Sequence, residues 1–142
     1  MKTLNEPAVL QVTSVAPIPI LTYHQIAPTP PKSAAFRSLS VTPQGFARQM
    51  AFLHALGYQG LGMGALLPYL KGERQGKVFG ITFDDGYVNV LEHGLPALRQ
   101  TGFKAIQFLP VRALGGRNDW DVAAGEAPER IMDPAQVREW LA

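Results

Sequence analysis

The chain has 142 residues, 46% of them hydrophobic and 17% charged, and 13 Lys and Arg against 11 Asp and Glu leave a net charge of +2. That length fits one domain or part of one, with enough apolar material for a real core. The charge is small and Arg37, Arg48, Lys71 and Arg74 are scattered, which argues against nucleic-acid binding, while the lack of cysteine excludes disulfides, thiolate zinc sites and cysteine nucleophiles.

Residues 1–17 read as an N-terminal extension. Lys2 is followed by Asn5, Glu6 and Pro7 with no uninterrupted apolar run, so no secretory signal is expected. Pro17, Pro19, Pro28 and Pro30 break up any membrane span. Cytoplasmic placement is the default expectation, and a processed start would look the same and leave export open. Ile18 to Ile26 is apolar around Thr22 and Tyr23 and predicts a strand. Ala27 to Arg37, rich in proline and serine, predicts a loop. Thr42-Pro43 supplies an N-cap and a proline at the first helical position. The apolar face of that helix is Phe46, Met50 and Leu53, and Gly57 is its stop.

Tyr58 to Met63 predicts a short strand and Ala65 to Lys71 a short helix. Val78 to Phe83 is a continuous apolar run, the pattern of a strand buried on both faces. Leu95-Pro96 opens a helix that ends at Gly102, and Lys104 to Val111 is the next strand. Leu114 to Arg130, with Gly115-Gly116 and Ala127-Pro128, predicts a second loop. Asp133-Pro134 with Gln136 opens a last helix through an N-cap, a proline and a capping-box partner.

Strand followed by helix, repeated about four times, predicts a parallel α/β fold. A closed (β/α) barrel takes roughly 250 residues, so four units are about half of one. The last helix carries apolar Val137, Trp140 and Leu141 without a C-cap, which predicts that the chain stops short of a full barrel.

The residues most charged with chemistry follow the apolar run, in Ile81-Thr82-Phe83-Asp84-Asp85-Gly86-Tyr87. Two carboxylates side by side repel unless a cation or a proton relieves them. An economical use is a division of labour, with one Asp holding a divalent metal and the other moving a proton. In parallel α/β folds, sites gather at the carboxyl ends of strands. A second strand ends in Tyr23-His24-Gln25, so neighbouring strands would bring His24 and the Asp pair into one pocket.

This pattern resembles the polysaccharide deacetylase family, also called the NodB-homology or carbohydrate esterase family 4 group. Thr82-Phe83-Asp84-Asp85-Gly86-Tyr87 is similar to its first motif, and Tyr23-His24-Gln25-Ile26 to the Tyr-His-x-Ile of its exopolysaccharide branch. Leu95-Pro96-Ala97-Leu98, Gly102-Phe103-Lys104-Ala105, Gly57-Tyr58 and Ile131-Met132-Asp133 also match. The resemblance covers residues 18–142 and implies the N-terminal portion of a distorted (β/α) barrel. It implies a divalent metal, often zinc, and removal of acetyl groups from N-acetylated polysaccharide or oligosaccharide. Asp84 would be the general base and Asp85 the metal ligand.

The departures are specific. The family's second motif, His-Ser/Thr-x-x-x-His, supplies two further metal ligands, and the histidines here are His24, His54 and His93, none spaced as such a pair. The Arg-Pro motif and the leaving-group histidine are also missing. The resemblance therefore predicts a domain, 18–142, that ends just before the second motif, with weak metal binding and little hydrolysis on its own. Gln107 stands where an aromatic is common.

Each residue also has a plainer reading. Asp84-Asp85-Gly86 is ordinary strand-to-turn chemistry if taken alone. His24 is either a pocket residue or a satisfied histidine at a strand end. His54 reads as a surface or packing residue and His93 as a loop or helix-end residue. Tyr87 and Trp120 could stack on sugar rings; Tyr87 is the better candidate because it is tied to the motif, and a loop aromatic such as Trp120 is more often an anchor that pins its loop down. Asp119 and Asp121 are solvated acids or additions to the pocket. Three functions remain: an N-deacetylase; an inactive relative that binds sugar or pairs with another chain, itself included, through unfinished barrel edges; and a phosphoacceptor receiver domain. The last fits poorly, because a strand–helix unit precedes the acidic pair and the next strand ends in Pro110-Val111.

Overall fold

The computed structural model describes residues 17–142. The expected extension, residues 1–17, lies outside the described residues apart from Pro17, as does the segment judged for a secretory signal. In chain order the strands and helices are β1 (Ile20–Tyr23), β2 (Gln25–Ile26), β3 (Ser40–Val41), α1 (Pro43–Ala55), β4 (Gln59–Leu61) and α2 (Met63–Leu70). They continue with β5 (Val78–Phe83), α3 (Leu95–Thr101), β6 (Ile106–Gln107), α4 (Asp119–Val122) and α5 (Pro134–Leu141).

β5 organises the molecule. All six of its residues are buried, as its unbroken apolar sequence requires. It pairs in parallel with β1, from Ile20 opposite Gly80 to Tyr23 opposite Phe83. It also pairs in parallel with β4 through Val78 to Gly80, and with β6 through Thr82 and Phe83. Side chains alternate across a strand. Phe79, Ile81 and Phe83 meet Phe46 and Met50 of α1 and Ala97 and Leu98 of α3. Val78 joins Leu66 and Tyr69 of α2 in a separate cluster. The sheet is therefore covered from both sides, the parallel α/β arrangement expected from the sequence.

Local signals explain the helices. Thr42 caps α1 by accepting a bond from Gly45 N at 3.1 Å, and Phe46 and Met50 are fully buried on its inner face. α5 begins with the complete capping box: Asp133 accepts from Ala135 and Gln136, and Gln136 reaches back to the Asp133 amide. Trp140 of α5 then meets Phe83 edge-on, with ring centroids 5.6 Å apart. This contact fastens the last helix under the end of β5.

Two expected strands differ. Ile18 to Ile26 is not one strand: the chain bends at His24, where β1 leaves β5 and β2 pairs instead with β3 in a small second sheet. Lys104 to Val111 contributes only Ile106–Gln107, because β5 ends at Phe83 and Phe108 N makes the last bond, to Phe83 O at 2.8 Å. Pro110, which has no N–H to give a ladder, then leads into a 3₁₀ turn at Val111–Ala113. The helix expected at Leu95 is preceded by a π-helical turn, Val90–Gly94. The second loop is less open than expected, since it contains α4 and an antiparallel bridge between Arg117 and Arg130. No helix among the described residues is long and apolar enough to cross a membrane.

Candidate active site at the end of the central strand

β5 delivers Asp84 and Asp85 at its carboxyl end. Asp84 N still bonds to Tyr23 O at 3.0 Å, so the first Asp is held in register with the end of β1. The chain then turns through two left-handed residues, Asp85 at φ 66° and Gly86 at φ 68°. Asp tolerates this conformation better than most residues, and glycine bears it without penalty. Space is tight as well: a Cβ at Gly86 would lie 2.7 Å from Leu109 Cδ2, so the leucine side chain would have to shift. Past the turn, Val88 N bonds to Arg130 O at 2.9 Å and Met132 N to Gly86 O at 2.8 Å. The turn is thereby sewn to the far end of the Leu114 to Arg130 loop.

The bend after β1 places His24 beside the pair, with Nε2 3.7 Å from Asp84 Oδ2. That is an ion-pair distance when the imidazole is protonated, and too long for a hydrogen bond. His24, Asp84 and Asp85, with Phe108, Leu109 and Pro110, line an open cleft of about 560 Å³. Another cleft, of about 430 Å³, lies around His54, Gly57 and Lys104 and contains no carboxylate. His54 is exposed there, its ring centroid 5.9 Å from that of Phe103. His93 is exposed in the π-helical turn.

The loop adds charge to the site. Tyr87 OH donates to Asp121 Oδ2 at 3.3 Å. Burial raises the Asp85 carboxyl above the usual range, Asp121 and Asp84 push it the same way, and His24 partly offsets them. Burial likewise raises the Tyr87 phenol, reinforced by the negative charge of Asp85, Asp121 and Glu126, so Tyr87 stays a proton donor. Its ring is only 1% exposed and packs in the main core, which leaves no free face for sugar stacking. Trp120 is 43% exposed and belongs to none of the core clusters. The loop is pinned instead by fully buried Asn118, whose side chain bonds Ala127 O at 3.1 Å and Glu129 N at 2.7 Å.

Residues 71–140, which include the whole turn, match the family model described as polysaccharide deacetylase. YxkH of Bacillus subtilis, which carries the name of a polysaccharide deacetylase, is 32% identical over 105 residues, covering 72% of this chain. The chain belongs to the polysaccharide deacetylase family. Among solved deacetylases, PplD from Streptococcus pyogenes, in complex with acetate, is 26% identical with a TM-score of 0.65 over 87% of this chain. BC0361, a polysaccharide deacetylase from Bacillus cereus, is 25% identical with a TM-score of 0.64 over 87% of the chain. IcaB from Ammonifex degensii shares the fold, with a TM-score of 0.70 over 87% of the chain at 21% identity. The chain spans 35% of YxkH, 51% of the PplD chain and 35% of the BC0361 chain.

A deacetylase metal centre can be tested against these side chains. Among the described residues no three His, Cys, Asp or Glu side chains converge as a metal site. Catalytic zinc takes three protein ligands. The described residues therefore do not fit a zinc ion by themselves. The deacetylase motif was legible in sequence, and the contribution of the loop was not. The sequence left Asp121 open between a solvated acid and an addition to the pocket, and Glu126 gave no signal. Asn89, a polar residue between Val88 and Val90, did carry one, because a buried amide in an apolar run must be bonded to something.

Proposed function

We propose that this chain carries the base and one metal ligand of a metal-dependent hydrolase that removes N-acetyl groups from a polysaccharide or amino sugar. The observation that carries the reading is the Asp84–Asp85 turn at the carboxyl end of a buried parallel strand, with His24 beside it. In this reading Asp84 takes the proton of the water that adds to the acetamide carbonyl. The carbon–nitrogen bond then breaks, leaving acetate and a free amine. Asp85 would be one ligand of a divalent metal, taken as zinc, with the other ligands supplied by groups outside the described residues. His24 and exposed Trp120 contact the sugar.

Residues 18–142 correspond in this reading to the N-terminal portion of a distorted (β/α) barrel. β1 and β6 each pair only with β5 among the described residues, which supports open outer edges. Such edges invite pairing with another copy or chain. The lack of a three-ligand cluster among the described residues favours a second reading, in which the chain binds sugar or pairs with a partner without hydrolysing anything.

Zinc titration with and without the N-acetylglucosamine trimer chitotriose tests the incomplete metal centre and the sugar site. The chain alone should bind zinc with Kd of about 100 μM or weaker. Chitotriose should shift the amide resonances of His24, Asp84 and Asp85. Tight stoichiometric zinc binding would overturn the incomplete centre, and saturating sugar without shifts at these residues would overturn the site.

A further inference from the structure

A chain of side-chain bonds runs away from the cleft and uses residues with no assigned role. Asn89 is buried just after the turn, and its Oδ1 accepts from Ile26 N at 3.1 Å. Its Nδ2 donates to Gln25 Oε1 at 3.3 Å. Gln25, 4% exposed, then donates Nε2 to Glu126 Oε1 at 2.8 Å. These links join residues 63, 64 and 101 positions apart in sequence.

The direction of the Gln25 amide is determined. Reversed, it would set nitrogen against the Asn89 nitrogen and oxygen against the Glu126 carboxylate. Glu126 depends on this bond, since its other oxygen, Oε2, is buried with no hydrogen-bond partner among the described residues. The charges that act on it, Asp121, Glu129 and Asp85, all oppose its ionisation, and Gln25 alone favours it. Loss of the single donor would leave the partly buried Glu126 carboxylate with no hydrogen-bond partner among the described residues.

The geometry points to Gln25 and Asn89 as positioning residues that latch the Leu114 to Arg130 loop through Glu126, and so hold Trp120 and Asp121 as one wall of the substrate cleft. Gln25 follows His24 directly, so the strand end that brings one side chain to the Asp pair also ties down the loop whose Asp121 charge acts on Asp85. Asp121 is held from the other side by Tyr87 OH. The substrate part of this inference rests on the deacetylase reading; the latch does not.

The test is a swap of donor and acceptor, read by amide hydrogen exchange across residues 117–130 and by Trp120 emission in a Trp140→Phe background. Gln25→Glu sets two carboxylates against each other and should speed loop exchange by about tenfold or more, leaving α3 unchanged. Adding Glu126→Gln restores a donor opposite Glu at position 25 and should return exchange and emission to native values. Glu126→Ala, at a partly exposed loop position, should free the loop in the same way if Gln25→Glu does not fold. Unchanged loop exchange in Gln25→Glu or Glu126→Ala, or no rescue by the double variant, would overturn the latch. Chitotriose affinity should fall about tenfold in Gln25→Glu and recover in the double variant. Unchanged affinity beside a loosened loop would overturn the substrate role, whereas a native chain that ignores chitotriose while the swap behaves as expected would overturn the deacetylase reading and leave the latch standing.

Discussion

Asp85 and Gly86 show how much of the site is written in two backbone angles. Both are left-handed, and the space over Gly86 is filled by Leu109. Gly86→Ala should therefore cost about 2 kcal/mol or more, combining the left-handed penalty with the clash, and urea unfolding would measure it. Glu126 supplies part of the pH dependence, beside Asp85, whose carboxyl burial shifts in the same sense. Burial raises the folded pKa of Glu126 above the ordinary 4.5, so the native state holds the proton more tightly than the unfolded chain. The associated stability is present below about 4.5 and is lost as pH rises through the folded value. Glu126→Gln, which can still accept from Gln25, should flatten the fall in Tm over that range; an unchanged pH profile would contradict the assignment. At this scale Asp84-Asp85-Gly86 could be read from sequence because the motif is contiguous. The network that joins Gln25, Asn89 and Glu126 could not, since nothing in a linear pattern says that residues so far apart share one set of bonds.

Among the elements, those with local punctuation were legible. Thr42-Pro43, Asp133-Pro134-Ala135-Gln136 and the run Val78 to Phe83 each form the element their residue types specify. Asp133 makes the sharpest case, because its side chain accepts from both Ala135 N and Gln136 N at 2.8 Å. Asp133→Ala should destabilise the fold by about 1 kcal/mol and loosen α5, visible as weaker burial of Trp140 by fluorescence. A variant as stable as the native chain would contradict the capping account. The elements that differed were set by distant partners. The break at His24 depends on β3, whose two residues carry no strand signal of their own. The short β6 reflects the end of β5. The order in the second loop comes from Asn118 and from the bridge between Tyr87 and Ile131.

For the whole molecule, the parallel α/β layering followed from the alternation of strand and helix, and the deacetylase family from one motif and its flanks. What could not be read was how the pieces share their edges: β5 serves β1, β4 and β6, and β1 and β6 keep an outer edge unpaired among the described residues. Those edges, with exposed Ile20 and Phe108 beside them, predict self-association. Sedimentation at about 100 μM should show species larger than a monomer. A monomer that unfolds in one cooperative step would contradict it.

The most direct test of Asp84 and Asp85 as deacetylase residues is a chimera. Residues 18–142 would replace the matching region of the Streptococcus pyogenes deacetylase PplD, and acetate release from an N-acetylated oligosaccharide would be followed with zinc. The expected result is release that falls by about 100-fold or more in Asp84→Asn, the loss typical of a removed general base. A folded, zinc-loaded chimera that releases no acetate, or release that survives Asp84→Asn, would show that this turn does not perform the chemistry assigned to it.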